Sequence, residues 1–546
     1  MTAKLLRPWQ MMQAPNVLLI GPYDPHCGEY TFLAPPLGVW RLAGVLESAG
    51  VAVRVFDPNC CTEPAGRALE REILRRPWDI IGVSTTGMTL RFDLELAHLA
   101  RRLAPRALLI AGGMEATFRP DLLFRLGPFD RVVLGEGERP LLEMAARLRA
   151  DAPLSGISGT AELRADGQCL KLPQRALDRA ELRDAIFKTP YGRMPYGAYW
   201  QRLEDAYQVG ALPAKAAREA LLAEIRSVRL NTLNYCPMGC TFCSSTNFLR
   251  EAQGSVAGIA RLDAGECTAM LERIVALHPG VRTIIFQDDI FVFTQDRRLL
   301  PLCEGIVAAK ERGALPRTLQ FISTNRVDAM TPERLAAMRR AGFRVLGFGI
   351  ENFSRNVLRE FNKERIYDRI EPTLACACDL GITPFLDLIL SSPRSTLADL
   401  AETLRQAYRW LRRGCEVGMY PYVIPFSGAP MAADPALAPF TVCERRKIAG
   451  THLAWDQPSK ILPMDPLVRE TILRIERACG AFLAQAQQDA AHLPSRLRSL
   501  IWILCALRPM ADRGLPIADE AEVRRELAAR LPRRRDEPAE TGAATA

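Results

Sequence analysis

The chain has 546 residues, of which 48% are hydrophobic and 24% are charged. This composition excludes a disordered or fibrous chain, and the length predicts three or four folded units at about 150 residues each. The longest apolar run near the C-terminus, residues 500–507, is shorter than the roughly 20 residues of a membrane span, and the N-terminus lacks the apolar core of a signal peptide. We therefore predict a cytoplasmic protein with no membrane span.

The net charge does not indicate a nucleic-acid partner. It is +9, from 71 Lys and Arg against 62 Asp and Glu, and no basic block is long enough to form a nucleic-acid surface. The densest basic run, residues 533–535, lies in a polar tail that we predict to be solvated and disordered. The fifteen cysteines raise a different question, because a chain in a reducing compartment does not keep them as disulfides. They point to thiol or metal chemistry.

Residues 16–150 alternate apolar strands with helices. A continuous apolar run at 16–20 is followed by a helical pattern at 37–49, which ends at Gly50, and by a second strand at 51–57. The alternation continues with strands at 79–84, 107–111 and 131–134 and helices at 94–103 and 120–126. This rhythm predicts an α/β fold with a doubly wound, Rossmann-like sheet, in which ligands bind beyond the carboxyl ends of the strands.

Small residues follow four of these predicted strands. They are Gly21-Pro22, Ser84 to Gly87, Gly112-Gly113 and Gly135 to Gly137. Glycine lets the backbone approach a ligand closely, and four such loops at one edge of a sheet indicate a ligand site. None of the loops matches G-x-G-x-x-G or a phosphate-binding P-loop, so a dinucleotide is disfavoured.

The rest of the chain divides into an arm, a connector, a second repeating unit and a C-terminal region. Residues 1–15 form the arm, and the strand rhythm is lost over 151–225, which we interpret as a connector. Six further strand–helix repeats have strands at 228–233, 283–287, 319–324, 345–351, 384–390 and 417–423. They predict a partial (β/α)6 barrel over 226–440, with its active site at the carboxyl ends of the strands. Residues 441–546 are predicted to be a helical cap followed by the tail.

Three cysteines stand together directly after the first predicted barrel strand. Cys236, Cys240 and Cys243 follow the spacing C-x3-C-x2-C. Three thiolates on one short loop can hold an iron–sulfur cluster. A tetrahedral zinc site would need a fourth ligand nearby, and no histidine occurs between His98 and His278. The spacing therefore favours a cluster.

This motif, with Phe242 before its third cysteine, resembles that of the radical S-adenosylmethionine (radical SAM) enzymes. The resemblance implies that the three thiolates hold a [4Fe–4S] cluster with one open iron, to which the amino and carboxylate groups of SAM bind. An electron from the cluster then cleaves SAM to a 5′-deoxyadenosyl radical, which abstracts a substrate hydrogen. The protein positions the reactants and excludes water. An external electron donor such as flavodoxin or ferredoxin is also implied.

The ends of the next three predicted strands resemble the SAM-binding segments of this family. The residues expected to bind SAM are Phe242, Gln287, Asp288, Asp289, Ser323, Arg326 and Glu351. The acidic segment after the second strand would take the methionyl amino group, and the segment from Ser323 to Arg326 would contact the ribose and the carboxylate. After the fourth strand, Asn352 stands where the family commonly has serine.

The N-terminal sheet resembles the cobalamin-binding domain that is fused to a large radical SAM subgroup, and with the barrel the likeness covers about residues 16–430. It implies a corrin ring between the sheet edge and the barrel. The expected cobalamin contacts are Thr85, Thr86, Gly87, Gly113, Glu115 and Glu136. Many cobalamin proteins supply an axial histidine from D-x-H-x-x-G, whereas Asp24 to Gly28 gives D-x-H-x-G. We therefore expect His26 to be a loop histidine rather than a cobalt ligand.

The resemblance implies a cobalamin-dependent radical SAM methyltransferase that acts on an unactivated carbon, or on phosphorus, of a small-molecule or natural-product intermediate. One SAM would methylate cobalamin, and a second would supply the radical. The same architecture is compatible with a cyclisation or rearrangement without methyl transfer. Tyr420 and Tyr422, at the end of the sixth strand, would line the substrate pocket or pack in the core.

Two other function classes agree less well with the sequence. Methylthio transfer to RNA would need a second cluster in the N-terminal domain, but Cys60 and Cys61 are adjacent and Cys27 is distant from them. A corrinoid or iron–sulfur redox sensor would not need SAM-binding segments at several strand ends.

Overall fold

The architecture is described from a computed structural model over residues 15–26, 34–212, 214–485 and 495–530. The tail at 531–546, which we predicted to be disordered, and nearly all of the N-terminal arm lie outside the described residues, as does Cys27. Within the described ranges every cysteine is a free thiol. In the same ranges, no helix combines the length and the apolar character that crossing a bilayer requires.

The N-terminal unit is a seven-stranded sheet. Its strands are β1 (Asn16–Ile20), β2 (Ala52–Phe56), β3 (Ile80–Ser84), β4 (Leu108–Gly112), β5 (Arg131–Val133), β6 (Thr160–Leu163) and β7 (Cys169–Leu172). Its helices are α1 (Leu37–Ser48), α2 (Ala65–Leu74), α3 (Leu90–Leu103), α4 (Met114–Phe118), α5 (Pro120–Leu126) and α6 (Glu138–Arg149). The strand order is β2-β1-β3-β4-β5-β6-β7, and β1 to β5 run parallel.

Helices cover both faces of this sheet. Because successive side chains of a strand point to opposite faces, Leu19 packs on one side with Leu46 of α1 and Met144 of α6. Ile20 packs on the other side with Leu69 of α2. Both faces are therefore apolar, which explains the continuous hydrophobic runs of the strands, and the predicted doubly wound α/β fold is confirmed.

The sheet continues beyond residue 150. Strand β6 pairs antiparallel with β5 and with β7, so the interpretation of 151–225 as a connector without strands is wrong for its first part. Both added strands have only four residues, and of their side chains only Thr160 and Ala161 are buried, so their sequences lack a clear apolar period. The remainder forms α7 (Arg179–Lys188), α8 (Tyr196–Ala206) and α9 (Lys215–Ile225).

The second unit is a partial barrel. Its strands are β8 (Ser227–Leu230), β9 (Thr283–Phe286), β10 (Gln320–Asn325), β11 (Phe343–Glu351), β12 (Thr383–Ile389) and β13 (Glu416–Tyr420). Its helices are α10 (Ser245–Gln253), α11 (Ala264–Leu277), α12 (Leu299–Glu311), α13 (Pro332–Ala341), α14 (Arg355–Glu360), α15 (Tyr367–Asp379) and α16 (Leu397–Arg412). The strands pair in sequence order and all run parallel, which confirms the predicted (β/α)6 barrel.

The C-terminal region combines helices with a hairpin. The helices are α17 (Pro466–Gln485), α18 (Ser495–Ala511) and α19 (Glu520–Ala528), and Ser499 of α18 donates a hydrogen bond to the Val417 carbonyl of β13. The predicted helical character of this region is confirmed, and the structure adds one feature that was not predicted, the antiparallel pair of β14 (Thr441–Lys447) and β15 (Ala454–Ile461). Most side chains of β14 are exposed and charged, so the segment lacks an apolar alternation. Trp455 of β15 is buried in the same cluster as Ile20, which joins this hairpin to the N-terminal sheet.

Candidate active site

The three cysteines lie on the loop between β8 and α10, and Asp288 fixes the start of that loop. One carboxylate oxygen of Asp288 accepts hydrogen bonds from the backbone N–H groups of Thr232 and Leu233, at 2.6 and 2.9 Å. The other accepts from the Thr232 hydroxyl at 2.6 Å. Burial raises the pKa of Asp288 to about 6, against the opposing charge of Arg298 and these hydrogen bonds. Because both oxygens are engaged inside the protein, the predicted SAM contact at Asp288 is corrected to a structural role.

A second segment, residues 360–363 after α14, holds the middle of the cysteine loop. The Thr241 hydroxyl donates to the Glu360 carbonyl at 2.8 Å, and the Thr241 backbone N–H donates to the Phe361 carbonyl at 3.4 Å. The Asn362 side-chain amide donates to the Gly239 carbonyl at 2.9 Å. The sequence analysis missed this segment, which fixes the loop from the far side of the barrel mouth.

The cysteine side chains are half-buried and close enough to influence one another. Burial raises the pKa of Cys236 to about 12, and the charges of Asp289 and of the other two thiols add to this effect. Burial also raises the pKa of Cys240, while Lys363 opposes it. Among the described residues, no three His, Cys, Asp or Glu side chains converge on a single metal ion. In a cubane cluster each thiolate binds a different iron, so three thiols spread along one loop fit a cluster better than one ion.

The second barrel strand, β9, places two polar side chains at the mouth of the barrel. Gln287 and Asp289 are both accessible to solvent, on either side of the buried Asp288. Desolvation by the surrounding protein raises the pKa of Asp289, and a hydrogen bond with the Ser245 side chain acts to lower it. The structure thus brings Gln287 and Asp289, the remaining acidic-segment residues, beside the cysteine loop.

At the end of β10, the predicted residue Ser323 is buried, and its neighbour Thr324 is exposed instead. The side chain of Ser323 is buried, and its hydroxyl accepts a hydrogen bond from the Asn325 amide at 3.0 Å. Thr324, one residue later, is exposed and lies on the inner face of the barrel, because neighbouring side chains of a strand point to opposite faces. Ser323 is therefore corrected, and Thr324 is the side chain of this strand that a bound molecule can reach.

Arg326 offers a hydrogen-bond donor to an anion. Its guanidinium group pairs with Asp328 through two bonds of 2.9 Å, and the third nitrogen, Nη1, is buried without a partner. Charge interactions with Cys236 and Cys240 place this group beside the cysteine loop. An unsatisfied buried donor is costly, so the site fits the carboxylate of SAM, which would accept from Nη1.

Glu351, at the end of β11, has a left-handed backbone conformation, with φ of 61°. Non-glycine residues rarely adopt this conformation, so the surrounding structure must impose it. The Glu351 carboxylate pairs with Lys363 Nζ at 2.9 Å. Gly349 leaves room for this pair, since a Cβ at that position would lie 2.9 Å from Glu351 Oε1.

The two tyrosines predicted for a substrate pocket have different surroundings. Tyr420 is 49% exposed at the end of β13, on the inner face of the barrel. Tyr422 is buried, and its hydroxyl donates to Glu476 at 2.9 Å, so of the two predicted roles it has that of a core residue. The sequence analysis missed Asp387 of β12, which is exposed on the inner face and whose Oδ1 lies 2.8 Å from the position of a Cβ built on Gly418. A single carboxylate in the otherwise apolar run 384–390 was the signal for it.

A cavity of about 300 Å³ lies at the carboxyl edge of the N-terminal sheet. It is lined by the strand-end glycines, by apolar residues of α1, and by Asn231 and Phe248 from the barrel unit. Gly113 and Glu136, two of the predicted cobalamin contacts, also line it. Gly113 has φ of 100°, and a Cβ there would lie 2.7 Å from the Thr85 carbonyl, so glycine is required at this strand end.

The other four predicted cobalamin contacts do not line the cavity. Thr85 is fully buried, and its hydroxyl donates to the Gly112 carbonyl at 3.0 Å. Glu115 is buried in an ion pair with Arg119 and leaves no room for a side chain at Gly87, whose Cβ would lie 2.9 Å from Glu115 Oε1. Thr86 lies one residue further along the same edge, where its backbone N–H donates to Asp93. These residues shape the edge rather than the cavity wall.

The cavity wall contains two buried acceptor atoms without a donor, Glu138 Oε2 and Asn231 Oδ1. The second oxygen of Glu138 pairs with Arg41 at 2.5 Å. Burial raises the pKa of the neighbouring Glu136 to about 7, with a further contribution from Glu138. Unpaired acceptors call for a ligand with hydrogen-bond donors, and the amide side chains of cobalamin carry such donors. The cavity therefore fits part of this cofactor.

Two family profiles match the chain. Residues 25–145 match the B12 binding domain, and residues 230–407 match the radical SAM superfamily. The first range begins after β1, covers β2 to β5 and ends within α6, and the second begins at the end of β8 and runs through the three cysteines into α16.

The relatives found by sequence include two kinds of enzyme. An uncharacterized methyltransferase of Pyrococcus horikoshii is 23% identical over 377 residues, which are 68% of this chain and 73% of that protein. The anaerobic magnesium-protoporphyrin IX monomethyl ester cyclase of Rubrivivax gelatinosus is 22% identical over 402 residues, which are 72% of this chain and 66% of that protein. The match thus leaves a quarter to a third of each relative uncovered.

Two solved structures share the fold. TsrM, a radical S-adenosylmethionine methyltransferase from Kitasatospora setae solved with cobalamin and a [4Fe–4S] cluster, has a TM-score of 0.59 at 16% identity, over 80% of this chain and 82% of that one. OxsB, a cobalamin-dependent S-adenosylmethionine radical enzyme solved with aqua-cobalamin, has a TM-score of 0.60 at 14% identity, over 95% and 84%. Together with the two family profiles and the three-cysteine loop, this shared fold shows that the chain belongs to the radical SAM enzymes that carry an N-terminal B12-binding domain.

Proposed function

We propose that this protein is a cobalamin-dependent radical SAM methyltransferase that acts on an unactivated carbon, or on phosphorus, of a small-molecule intermediate. The observation that carries the proposal is a cavity shared by the two domains. Gly113 and Gly135 line it from the sheet, and Asn231, on the same loop as Cys236, lines it from the barrel. A cofactor held at the sheet edge would thus face the cysteine loop. The names of two relatives, the Pyrococcus methyltransferase and TsrM, support methyl transfer.

We assign the cluster to Cys236, Cys240 and Cys243. When bound, the cluster and SAM supply the radical that abstracts a substrate hydrogen, and cobalamin supplies the methyl group. The residues proposed to bind SAM are Phe242, Gln287, Asp289, Thr324, Arg326 and Glu351. Arg326 would orient the SAM carboxylate through its free Nη1, and Asp289 would accept a hydrogen bond from the amino group.

The N-terminal unit and the barrel have separate tasks in this proposal. Residues 16–172 form the cobalamin-binding unit, with Gly113, Glu136 and Glu138 at the cavity, and 226–440 form the radical SAM unit. Asp387 and Tyr420 face the inside of the barrel and are proposed to contact the substrate. Reduction of the cluster requires an external electron donor of the flavodoxin or ferredoxin type.

A second candidate function is a cyclisation or rearrangement that uses cobalamin without methyl transfer. It is favoured by the likeness to the Rubrivivax cyclase, which covers 72% of this chain. The two functions differ in their by-products. Radical cleavage of SAM occurs in both and leaves 5′-deoxyadenosine and methionine. Only methyl transfer also leaves S-adenosylhomocysteine, from the SAM that donates its methyl group.

The test uses the reconstituted holoprotein with SAM that carries a trideuterated methyl group, a chemical reductant and a small-molecule extract. Methyl transfer predicts a deuterated product together with both S-adenosylhomocysteine and 5′-deoxyadenosine. A product without label, accompanied by 5′-deoxyadenosine alone, would establish the second candidate. The matched control is Cys243→Ala, which should form no 5′-deoxyadenosine.

A further inference from the structure

Lys363 is a buried cation at the barrel mouth. Only 4% of the residue is exposed, although lysine is rarely buried unless its charge is paired. Its Nζ donates to the Gly349 carbonyl and to Glu351 Oε1, the latter at 2.9 Å. Its backbone N–H donates to the Leu358 carbonyl at 2.7 Å, which closes the end of α14. Both ends of this side chain are therefore fixed.

The same residue is tied to the cysteine loop. It is the last residue of the segment 360–363, which bonds to Gly239 and Thr241, and Phe361 of that segment packs edge-on against the Phe242 ring with centroids 4.9 Å apart. Lys363 Nζ lies 5.9 Å from the centre of the Phe242 ring. A cation at this distance from an aromatic face is attracted to it. Lys363 thus stands between Glu351 and the loop that carries the cysteines.

The charges around Lys363 are mostly negative. Glu351 is its carboxylate partner, and the nearby cysteines are the proposed thiolate ligands of the cluster. Its positive charge favours the ionised form of Cys240, against the larger effect of burial on that thiol. Two other cations lie near the loop: Arg326, which has a bidentate partner in Asp328, and Arg365, whose Nη2 lies 3.5 Å from Met238 Sδ. Removal of the Lys363 charge would leave the Glu351 carboxylate without its partner beside the cluster loop.

We propose that Lys363 is a positioning residue that holds Glu351 in its SAM-binding orientation and, through its charge, raises the midpoint potential of the [4Fe–4S] cluster. Reduction adds an electron to the cluster, and a nearby positive charge stabilises the reduced form. The left-handed backbone of Glu351 depends on its surroundings, so loss of the ion pair releases the carboxylate from its position. The proposal rests on the cluster and SAM sites and does not depend on methyl transfer.

The experiment compares Lys363→Met, which keeps an unbranched side chain one atom shorter and without charge, with Lys363→Arg, which keeps the charge. After anaerobic reconstitution, the midpoint potential is measured by redox titration followed by electron paramagnetic resonance, and SAM binding is measured from the change it causes in the signal of the reduced cluster. Lys363→Met should shift the midpoint potential to a more negative value and weaken SAM binding about tenfold, the loss expected for a charge-assisted hydrogen bond. Lys363→Arg should retain the potential of the unaltered protein.

Two further variants separate this effect from a general loss of structure. Lys363→Gln keeps a hydrogen-bond donor without charge and should shift the potential in the same direction as Lys363→Met. Lys310→Met removes another lysine that bonds two carbonyls, those of Leu319 and Ala341, which lie just before β10 and β11 at the end of the barrel opposite the cysteine loop, and it should leave the potential unchanged. An unchanged potential and SAM affinity in both neutral Lys363 variants would overturn the proposal. This readout needs no substrate, so failure of methyl transfer would be detected separately.

Discussion

Arg326 donates two hydrogen bonds of 2.9 Å to Asp328, from Nε to Oδ1 and from Nη2 to Oδ2, and this pairing leaves Nη1 buried without a partner. The carboxylate orients the guanidinium group as a fork, so that the remaining nitrogen points to a fixed place beside the cysteine loop. A lysine cannot make this bidentate pair and at the same time present another donor in a fixed direction.

Arg326→Lys should therefore weaken SAM binding by about one to two orders of magnitude, since a hydrogen bond to a charged group contributes about 1.5–3 kcal/mol. Calorimetric titration of SAM into the reconstituted protein measures the change. Arg312→Lys is the control, because Arg312 forms an exposed ion pair with Glu272 on the outside of the barrel. Equal affinities for Arg326→Lys and the unaltered protein would show that Nη1 does not contact the ligand.

Each cysteine of the loop should be required for the cluster. Replacement of Cys236, Cys240 or Cys243 by alanine removes one of three thiolate ligands, and the reconstituted variants should lose most of the about four irons per chain that a [4Fe–4S] cluster contributes. Iron analysis and the visible absorption of the cluster measure this loss. Cys443→Ala, at an exposed thiol of β14, should keep its iron. Iron near eight per chain in the unaltered protein would instead indicate a second cluster.

The strands of the barrel could be predicted because each is a short apolar run between helices, as in Thr283–Phe286. The side chain that faces the site could not be chosen in the same way. A shift of one residue along a strand reverses its faces, so the sequence predicted Ser323, which is buried, at the end of β10, whereas its neighbour Thr324 is the exposed side chain. The SAM contact predicted for Asp288 is corrected for a related reason. Two adjacent acidic residues after a strand do not show which carboxylate is buried in the protein and which is exposed.

Local sequence patterns could not predict contacts between distant parts of the chain. Asn362 and Gly239 are 123 residues apart, and nothing in the sequence near either one indicates that they bond. The sequence did not predict the short strands β6 and β7 or the charged hairpin strand β14, because few of their side chains are buried and no apolar period marks them. These strands are held by pairing with neighbours, which is a tertiary effect.

His26 should have no part in binding cobalt. Its backbone N–H donates to Asp24 Oδ1 at 3.0 Å, its ring packs against Phe92 with centroids 6.1 Å apart, and it does not line the cavity. In the cob(II)alamin form of the reconstituted protein, electron paramagnetic resonance should give the same spectrum for His26→Ala as for the unaltered protein. Loss of nitrogen superhyperfine splitting in the variant would identify His26 as the axial ligand.

The contribution of Asp93 to the stability of the N-terminal unit should fall as the pH rises from about 4 to 8. Asp93 is fully buried, and burial raises its pKa from 3.8 to about 8, although hydrogen bonds from Thr89, Tyr23 and Thr86 oppose the shift. Between these values the folded protein retains a proton on Asp93 that the unfolded chain has lost, so each pH unit costs about 1.4 kcal/mol. Asp93→Asn carries no titrating group and should flatten this slope in urea unfolding at a series of pH values. Asp130→Asn, at an exposed carboxylate, should retain it.

Asp387 should control product formation without affecting SAM cleavage. The carboxylate is accessible from the inside of the barrel. Desolvation by the surrounding barrel walls raises its pKa to about 7, and the negative charge of Glu351 makes a smaller contribution in the same direction. Tyr420 is the other titratable group beside it. If the ionised carboxylate binds the substrate, incorporation of the deuterated methyl group should rise with pH through about 7 in the unaltered protein and lose this dependence in Asp387→Asn.

Formation of 5′-deoxyadenosine without substrate is the internal reference for Asp387, because it requires the cluster and SAM alone and should be equal in both proteins. Asp379→Asn, at an exposed ion pair with Arg413 outside the barrel, is the matched control and should behave as the unaltered protein. A loss of 5′-deoxyadenosine in Asp387→Asn would place this residue in the SAM site. An unchanged pH profile of methyl incorporation would remove it from the substrate pocket.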